Sequence, residues 1–388
     1  MGGPGAAEEL GLCGARRVSA IVDLPELVAA LEPAARLRAE ALLEVTLAEG
    51  RTDPPPELID WLERHFGSVD AVRTQRIVRV MDRWRREGTL FSPLRARRPM
   101  GGGAHEAFTA LVAATRGDEF CHPETGTPAD TWGRVRGRRS ITAANAAKYD
   151  GQHGVVIFDE HDPLSFDHDS VRDLLEVGRE WARRAQEEEP TAANYLLIWN
   201  CGPRAGGSIV HGHAQALLGR DPHYAGVDRL REAAVAYRAA TGHLLLDDIA
   251  AVHRDLRLTT FEDGGVMAFA SLTPAKEREL WVVGQVGMDE REPAFTDAVA
   301  HTVVAYRDKV GVRAFNLVLL RPPLDADRAA RDGWELLPPL VRLVDRGDPD
   351  SRSSDIGAME LYAAAVVGSD PFALAQEMRA ARSPGAIG

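Results

Sequence analysis

The chain is poor in lysine, cysteine, aromatic side chains and positive charge, and each shortage removes a class of answers. Of 46 basic residues only Lys148, Lys276 and Lys309 are lysines, a bias of coding more than of function. With 58 acidic residues the formal net charge is −12, which argues against a nucleic-acid partner, because neutralising a phosphate backbone calls for a basic face. Any phosphate site must therefore be basic locally. Three cysteines, Cys13, Cys121 and Cys201, are too few for a disulfide framework and fit a reducing compartment. No apolar run approaches the roughly 18 residues of a membrane span. The opening MGGPGAAEELGLCGARR lacks the basic-then-apolar order of a signal peptide. A cytoplasmic protein with no membrane partner is expected. At 388 residues, 45% hydrophobic and 27% charged, the composition is that of a globular chain able to bury one large or two coupled domains.

The most informative stretch runs from Asn194 to Gly219. It reads as a strand (Tyr195 to Trp199), a glycine-rich turn (Gly202, Gly206, Gly207) and a second strand from Ile209 to Leu218. Side chains on a strand alternate, so His211, His213 and Gln215 share one side while Gly212, Ala214 and Ala216 take the other. The small residues let another layer approach, and the glycines free backbone N–H groups to turn toward an anion. A neutral imidazole has an unprotonated nitrogen near neutral pH and attacks phosphorus without a base to activate it. Two hydrogen-bonded core histidines are the plainer alternative. The full His-x-His-x-Gln after Gly-Gly-Ser favours the phosphate reading.

This segment resembles the histidine-triad superfamily, and within it the branch of galactose-1-phosphate uridylyltransferase with its nucleotidyltransferase and phosphorylase relatives. Asn200, Gly202, Ser208, His211, His213 and Gln215 carry the match. The resemblance implies an α+β fold, two histidine-triad units fused into one antiparallel sheet with packed helices. It also implies that His213 becomes covalently nucleotidylated while Gln215 and Ser208 hold phosphate oxygens. Arg95 and Arg98 match the outer arginines of an Arg-Ala-x-Arg-Pro segment that reaches substrate phosphates, a task suited to a planar, permanently charged fork. Asn145 is the nearest match to an asparagine that touches the nucleoside. Glu360 matches a glutamate that touches sugar hydroxyls. The glutamine expected shortly afterwards is replaced by the region Ala365-Val366-Val367, which weakens the case for galactose.

The same family carries a structural zinc site built from a Cys-x-x-Cys and two histidines. The corresponding residues here are Cys121, Glu124 in place of the second cysteine, His161 and His211. A carboxylate is an accepted zinc ligand beside cysteine and histidine. His122 is a rival donor, and a hydrogen-bonded cluster without metal is the other reading. Nothing in the expected chemistry requires a cofactor.

Three regions are expected. Residues 1–74 form a helical N-terminal extension, with two helices around Pro33 closing at Gly50 and a third from Ile59 to Gly67. Residues 75–240 form the first, catalytic half. Residues 241–388 form a second, degenerate half that repeats the order of the first, with strands Val266 to Ala270 and Glu279 to Gln285, a helix over Ala294 to Lys309 and a strand Phe315 to Leu320, and a C-terminal helical segment whose final helix is capped by Asp370-Pro371. The second half has no histidine at the strand end after Val283 or near Arg321-Pro322-Pro323, where the family places further metal ligands. His243 and His253 read as surface or core residues. The expected activity is transfer of a nucleoside monophosphate between a nucleotide sugar, or a related anhydride, and a sugar 1-phosphate through His213. Its partners are small nucleotides and sugar phosphates, and the resemblance implies a homodimer. The alternatives are a phosphorylase or hydrolase acting on nucleoside diphosphate sugars or dinucleoside polyphosphates, and a catalytically idle nucleotide-binding protein.

Overall fold

Nine strands in which one face is apolar and helix-covered build the central sheet. The computed structural model describes residues 20–97, 106–351 and 353–380, so the expectations for Arg98 and Cys13 lie outside the described residues. The sheet comprises β4 (Ser140–Ala144), β5 (Gln152–Phe158), β6 (Asn194–Cys201), β7 (His213–Gly219), β8 (Thr259–Asp263), β9 (Val266–Ala270), β10 (Glu277–Val283), β11 (Phe315–Leu320) and β12 (Leu340–Asp345). Their spatial order is β4-β5-β7-β6-β11-β12-β10-β9-β8, antiparallel throughout. A smaller sheet joins β1 (Leu43–Arg51), β2 (Thr74–Asp82), β3 (Gly88–Phe91) and β13 (Ala365–Val367), with β13 parallel to β3.

The duplication is visible in the strand order. From the β6–β11 joint outward, each side runs through the fourth, then the second, then the first strand of a four-stranded unit, β4–β7 on one side and β9–β12 on the other, with β8 added at the outer edge of the second. At the joint Ile198 pairs with Val318. One strand further out, Ile198 pairs with Gln215 and Val318 with Arg342. Gln215 and Arg342 are thus pseudo-equivalent.

Alternation separates two faces. Ala214, Ala216, Leu197, Trp199 and Leu317 join the main core, against helices His168–Glu188 and Pro293–Asp308. The first of these helices starts at Asp167, whose carboxylate accepts from the Ser170 N–H at 2.8 Å in a capping box. Its buried Val171, Leu174, Leu175, Gly178, Trp181 and Ala182 recur at three and four residues, one apolar stripe laid on the sheet. Each such large side chain contributes about 1.5–3 kcal/mol on burial.

Two local expectations are corrected. The helix Pro33–Leu42 ends before Val45, and residues 43–51 form β1 because they pair along their whole length with β2. Tertiary pairing overrides the helical spacing of Leu37, Ala41 and Val45. The motif strand begins at His213 and not at Ile209. Gly212 instead accepts from Phe158 N–H and donates to the His161 carbonyl, which draws His211 aside.

Candidate active site and metal cluster

His213 and Gln215 lie on the sheet face opposite the helices. Gln215 stands opposite Val155 on β5 and Ile198 on β6, and His213 stands opposite Ile157 on β5. The two side chains keep 7% and 8% of their exposure. The edge of the Phe120 ring packs on His213 at a centroid distance of 5.1 Å. His213 Nδ1 lies 2.8 Å from the His211 carbonyl oxygen. A carbonyl only accepts, so Nδ1 carries the proton and Nε2 the lone pair. Burial pushes the imidazole below its ordinary pKa, which keeps that lone pair free at neutral pH.

Next to this group a cavity of about 720 Å³ opens over β6, β11 and β12. Asn200 and Glu360 line it together with Ile198, Asn316, Val318 and Arg342. Asn316 Nδ2 donates to Asn200 Oδ1 at 2.7 Å and to the Ala205 carbonyl at 2.8 Å. The second half therefore holds the head of the glycine loop. In that loop Gly202 and Gly206 have φ of 84° and 94°, a region that favours glycine. Ser208 is exposed on the same loop.

Glu360 lies in the first turn of the short helix Ala358–Tyr362 and accepts from the Gly357 N–H at 2.9 Å. Burial raises its carboxyl pKa, but the Gly357 N–H and the charges of Lys276 and Arg95 outweigh that and hold it below the ordinary value. Arg95, exposed on the turn Pro93–Arg97 after β3, is thus within electrostatic reach of Glu360. Asn145 lies beyond the end of β4, with its Nδ2 3.2 Å from His153 Nε2, on the Gln215 side of the site. Sequence reasoning passed over His153. It is fully buried, with Nε2 2.9 Å from Gln215 Oε1.

A second cluster sits behind the start of β7. Cys121 Sγ is 3.2 Å from His161 Nδ1 and 3.5 Å from His211 Nδ1. The fourth donor is Asp118, whose Oδ1 is 3.5 Å from His211 Nδ1 and whose Oδ2 is 4.0 Å from His161 Nδ1. All four ligand atoms lie within 4.8 Å of one another. Glu124 is exposed in the turn Pro123–Gly126, and His122 is exposed beside it; neither joins the cluster. The expected carboxylate is therefore corrected from Glu124 to Asp118. The reason is local: Asp118 caps the 3-10 turn Glu119–Cys121 and faces inward with Cys121, while the next turn carries Glu124 outward. The signal was present, since Asp118-x-x-Cys121 has the Cys-x-x-Cys spacing read one step earlier.

The donor set fits a zinc ion. His161 Nε2 donates to the Val112 carbonyl at 2.8 Å and His211 Nε2 to the Phe158 carbonyl at 2.7 Å, so both Nδ1 lone pairs point into the cluster. Asp118 Oδ2 is buried without a hydrogen-bond partner. Tetrahedral zinc with ordinary ligand distances separates its donor atoms by about 3.3–3.8 Å.

No family model matches the chain, and no curated protein matches it in sequence. Solved structures do match in shape. An ADP-glucose phosphorylase from Arabidopsis thaliana, with ADP-glucose bound, gives a TM-score of 0.60 at 14% identity over 78% of this chain and 98% of its own. A GalT-like protein from the same plant gives 0.54 at 14% identity, over 68% and 92%. A uridylyltransferase gives 0.52 at 18% identity, over 65% and 87%. The chain has a uridylyltransferase-like fold. In this fold the two units share the nine-stranded sheet, and among the described residues the His-x-His-x-Gln motif occupies only β7 and the loop before it. No helix among the described residues is long and apolar enough to cross a membrane.

Proposed function

We propose that the chain is a nucleotidyl-transferring enzyme whose nucleophile is His213, with residues 75–240 as the catalytic half. The observation that carries this reading is the bond from His213 Nδ1–H to the His211 carbonyl at 2.8 Å, which leaves Nε2 as the free lone pair of a desolvated ring. Nε2 attacks the α-phosphorus of a nucleoside diphosphate sugar, a P–N bond forms, and the P–O bond to the sugar phosphate breaks. An acceptor phosphate oxygen then attacks the same phosphorus, and the imidazole leaves with its electron pair. The His211 carbonyl faces the proton on Nδ1 and stabilises the positive charge that grows on the ring in the first step. Gln215, Ser208, Arg95 and Arg98 are assigned to the phosphate oxygens, Asn145 and Asn200 to the nucleotide, and Glu360 to sugar hydroxyls in the cavity. Asp118, Cys121, His161 and His211 would hold zinc as a brace that fixes the His211 carbonyl against His213, outside the bond-making steps.

The identity of the acceptor has a second reading, inorganic phosphate in place of a sugar 1-phosphate. It is favoured by the glutamine missing after Glu360, whose region forms β13 against β3, and by the match over nearly the whole length of an ADP-glucose phosphorylase. Thermal-shift measurements against ADP-glucose, UDP-glucose, dinucleoside tetraphosphates and sugar phosphates identify the donor, since a ligand of the folded state raises its melting temperature. Product analysis with phosphate or galactose 1-phosphate as acceptor then separates the two readings. No shift with any nucleotide contradicts both.

A further inference from the structure

Gln215 has one end committed. Its Oε1 lies 2.9 Å from His153 Nε2, and the state of that nitrogen is settled by the other side of the ring. The backbone N–H of Tyr149 donates to His153 Nδ1 at 3.0 Å. A ring that accepts at Nδ1 must carry its proton on Nε2, because an imidazole accepting at both nitrogens would be an anion. The Nε2–H therefore donates to Oε1 of Gln215, and the group Gln215 has left to offer a ligand is its NH2. Asn145 Nδ2, 3.2 Å from the same nitrogen, cannot take the carbonyl's place, because Asn145 Oδ1 is itself held by the Ala147 N–H at 2.9 Å.

We propose that His153 is a positioning residue that fixes the Gln215 amide with its NH2 available to the phosphoryl oxygens. This rests on the nucleotidyl-transfer reading above. An amide alone is free to turn either end outward, and a carbonyl turned toward a phosphate would repel it. The chain spends a fully buried histidine on excluding that state. It also winds the β4–β5 connection around the same residue, whose carbonyl receives Lys148 Nζ at 3.1 Å and the Asn145 N–H at 2.9 Å.

The second half repeats the device with different chemistry. Arg342, the pseudo-equivalent of Gln215, pairs with Trp281 as Gln215 pairs with Val155. Two residues before Trp281 stands Glu279, as His153 stands two before Val155. Glu279 Oε1 accepts from Arg342 Nε at 2.6 Å. In both units the neighbouring outer strand anchors the polar side chain that stands on the open face.

The test uses the full chain with ADP-glucose as donor and inorganic phosphate as acceptor. His153→Leu is expected to lower kcat by about 10²-fold, the scale for losing one oriented donor to a developing charge, with KM changed little. Gln215→Ala should lose a similar factor, and the double variant no more than Gln215→Ala alone. Gln215→Glu, which keeps an acceptor for His153 but loses the NH2, should be as slow as Gln215→Ala. Long-range ¹H–¹⁵N correlations on the wild-type chain should show His153 protonated at Nε2, a readout that needs neither turnover nor a foldable variant. Losses that multiply in the double variant, an unchanged kcat for His153→Leu, or a proton on Nδ1 would overturn the assignment. If His213→Gly turns over normally, the nucleophile reading falls. If it is dead while His153→Leu is fully active, only the role of His153 falls.

Discussion

His161 and His211 turn their Nδ1 lone pairs toward each other at 3.3 Å, each held there by an Nε2–H bonded to a strand or helix carbonyl. Two lone pairs at that distance repel unless a proton or a cation lies between them. The protein as purified without added metal is therefore expected to contain about one zinc per chain. Asp118→Ala and Cys121→Ser should lose the metal and melt at a lower temperature, whereas Glu124→Ala should match the wild type. Elemental analysis beside thermal melts decides this, and metal-free protein or a metal-poor Glu124→Ala would count against the cluster as assigned.

Acid should destabilise the fold through two histidines that the proposed chemistry does not use. Burial lowers the pKa of His253 from 6.5 to about 4, with Nδ1 donating to the Ile249 carbonyl and Nε2 accepting from the Leu272 N–H. Burial, helped by the charge of Arg328, does the same for His223, also to about 4. A base with a depressed folded pKa binds fewer protons folded than unfolded. Its stability is fully present above 6.5 and is lost as the pH falls toward 4. Each residue accounts for about 3 kcal/mol over that window. Urea midpoints measured between pH 7 and pH 4 should fall less steeply in His253→Gln than in the wild type, and an equal slope would contradict the buried-neutral assignment.

Gly154 on β5 lies under Trp181. A Cβ there would stand 2.5 Å from two indole atoms of a fully buried ring, with no space for the ring to retreat. Gly154→Ala should cost about 1–3 kcal/mol, the range for overpacking a filled core. A denaturation midpoint equal to that of the wild type would mean that the helix His168–Glu188 sits further from the sheet.

Arg342 stands between Glu279 and Glu87, with bonds of 2.6 and 2.9 Å. Burial works to raise the Glu87 carboxyl, but Arg85 and Arg342 bring it down to about 2. Arg342→Met would leave the fully buried Glu279 without its cation, while Glu87, 39% exposed, keeps Arg85 and is screened by solvent, at a cost of about 2–3 kcal/mol. The drop should show at pH 7 in a chemical melt, and a loss below about 1 kcal/mol, the scale of a surface pair, would show that the network is solvated.

Much of this was legible in the sequence because it was written in local pattern. The alternation around His213 and Gln215, the repeated strand–helix order and the Asp370-Pro371 start of the last helix need only neighbours along the chain. What escaped depended on distant pairing. The segment from Leu43 reads as helix until β2 is present to pair with it. His153 looks like any strand residue until β7 brings Gln215 to it from 62 positions away. The fourth donor of the cluster escapes for the same reason: the Cys-x-x-Cys spacing points forward from Cys121 to Glu124, whereas the turn capped by Asp118 folds the ligand in from behind.

The most direct measurement of the central claim is the intact mass of the full chain after brief exposure to ADP-glucose or UDP-glucose without acceptor. The account predicts an acid-labile gain of one nucleoside monophosphate per chain, mapped to His213, discharged on adding phosphate or a sugar 1-phosphate, and absent from His213→Gly. An unmodified wild-type chain that nonetheless consumes the nucleotide, or an adduct that persists in His213→Gly, would contradict it.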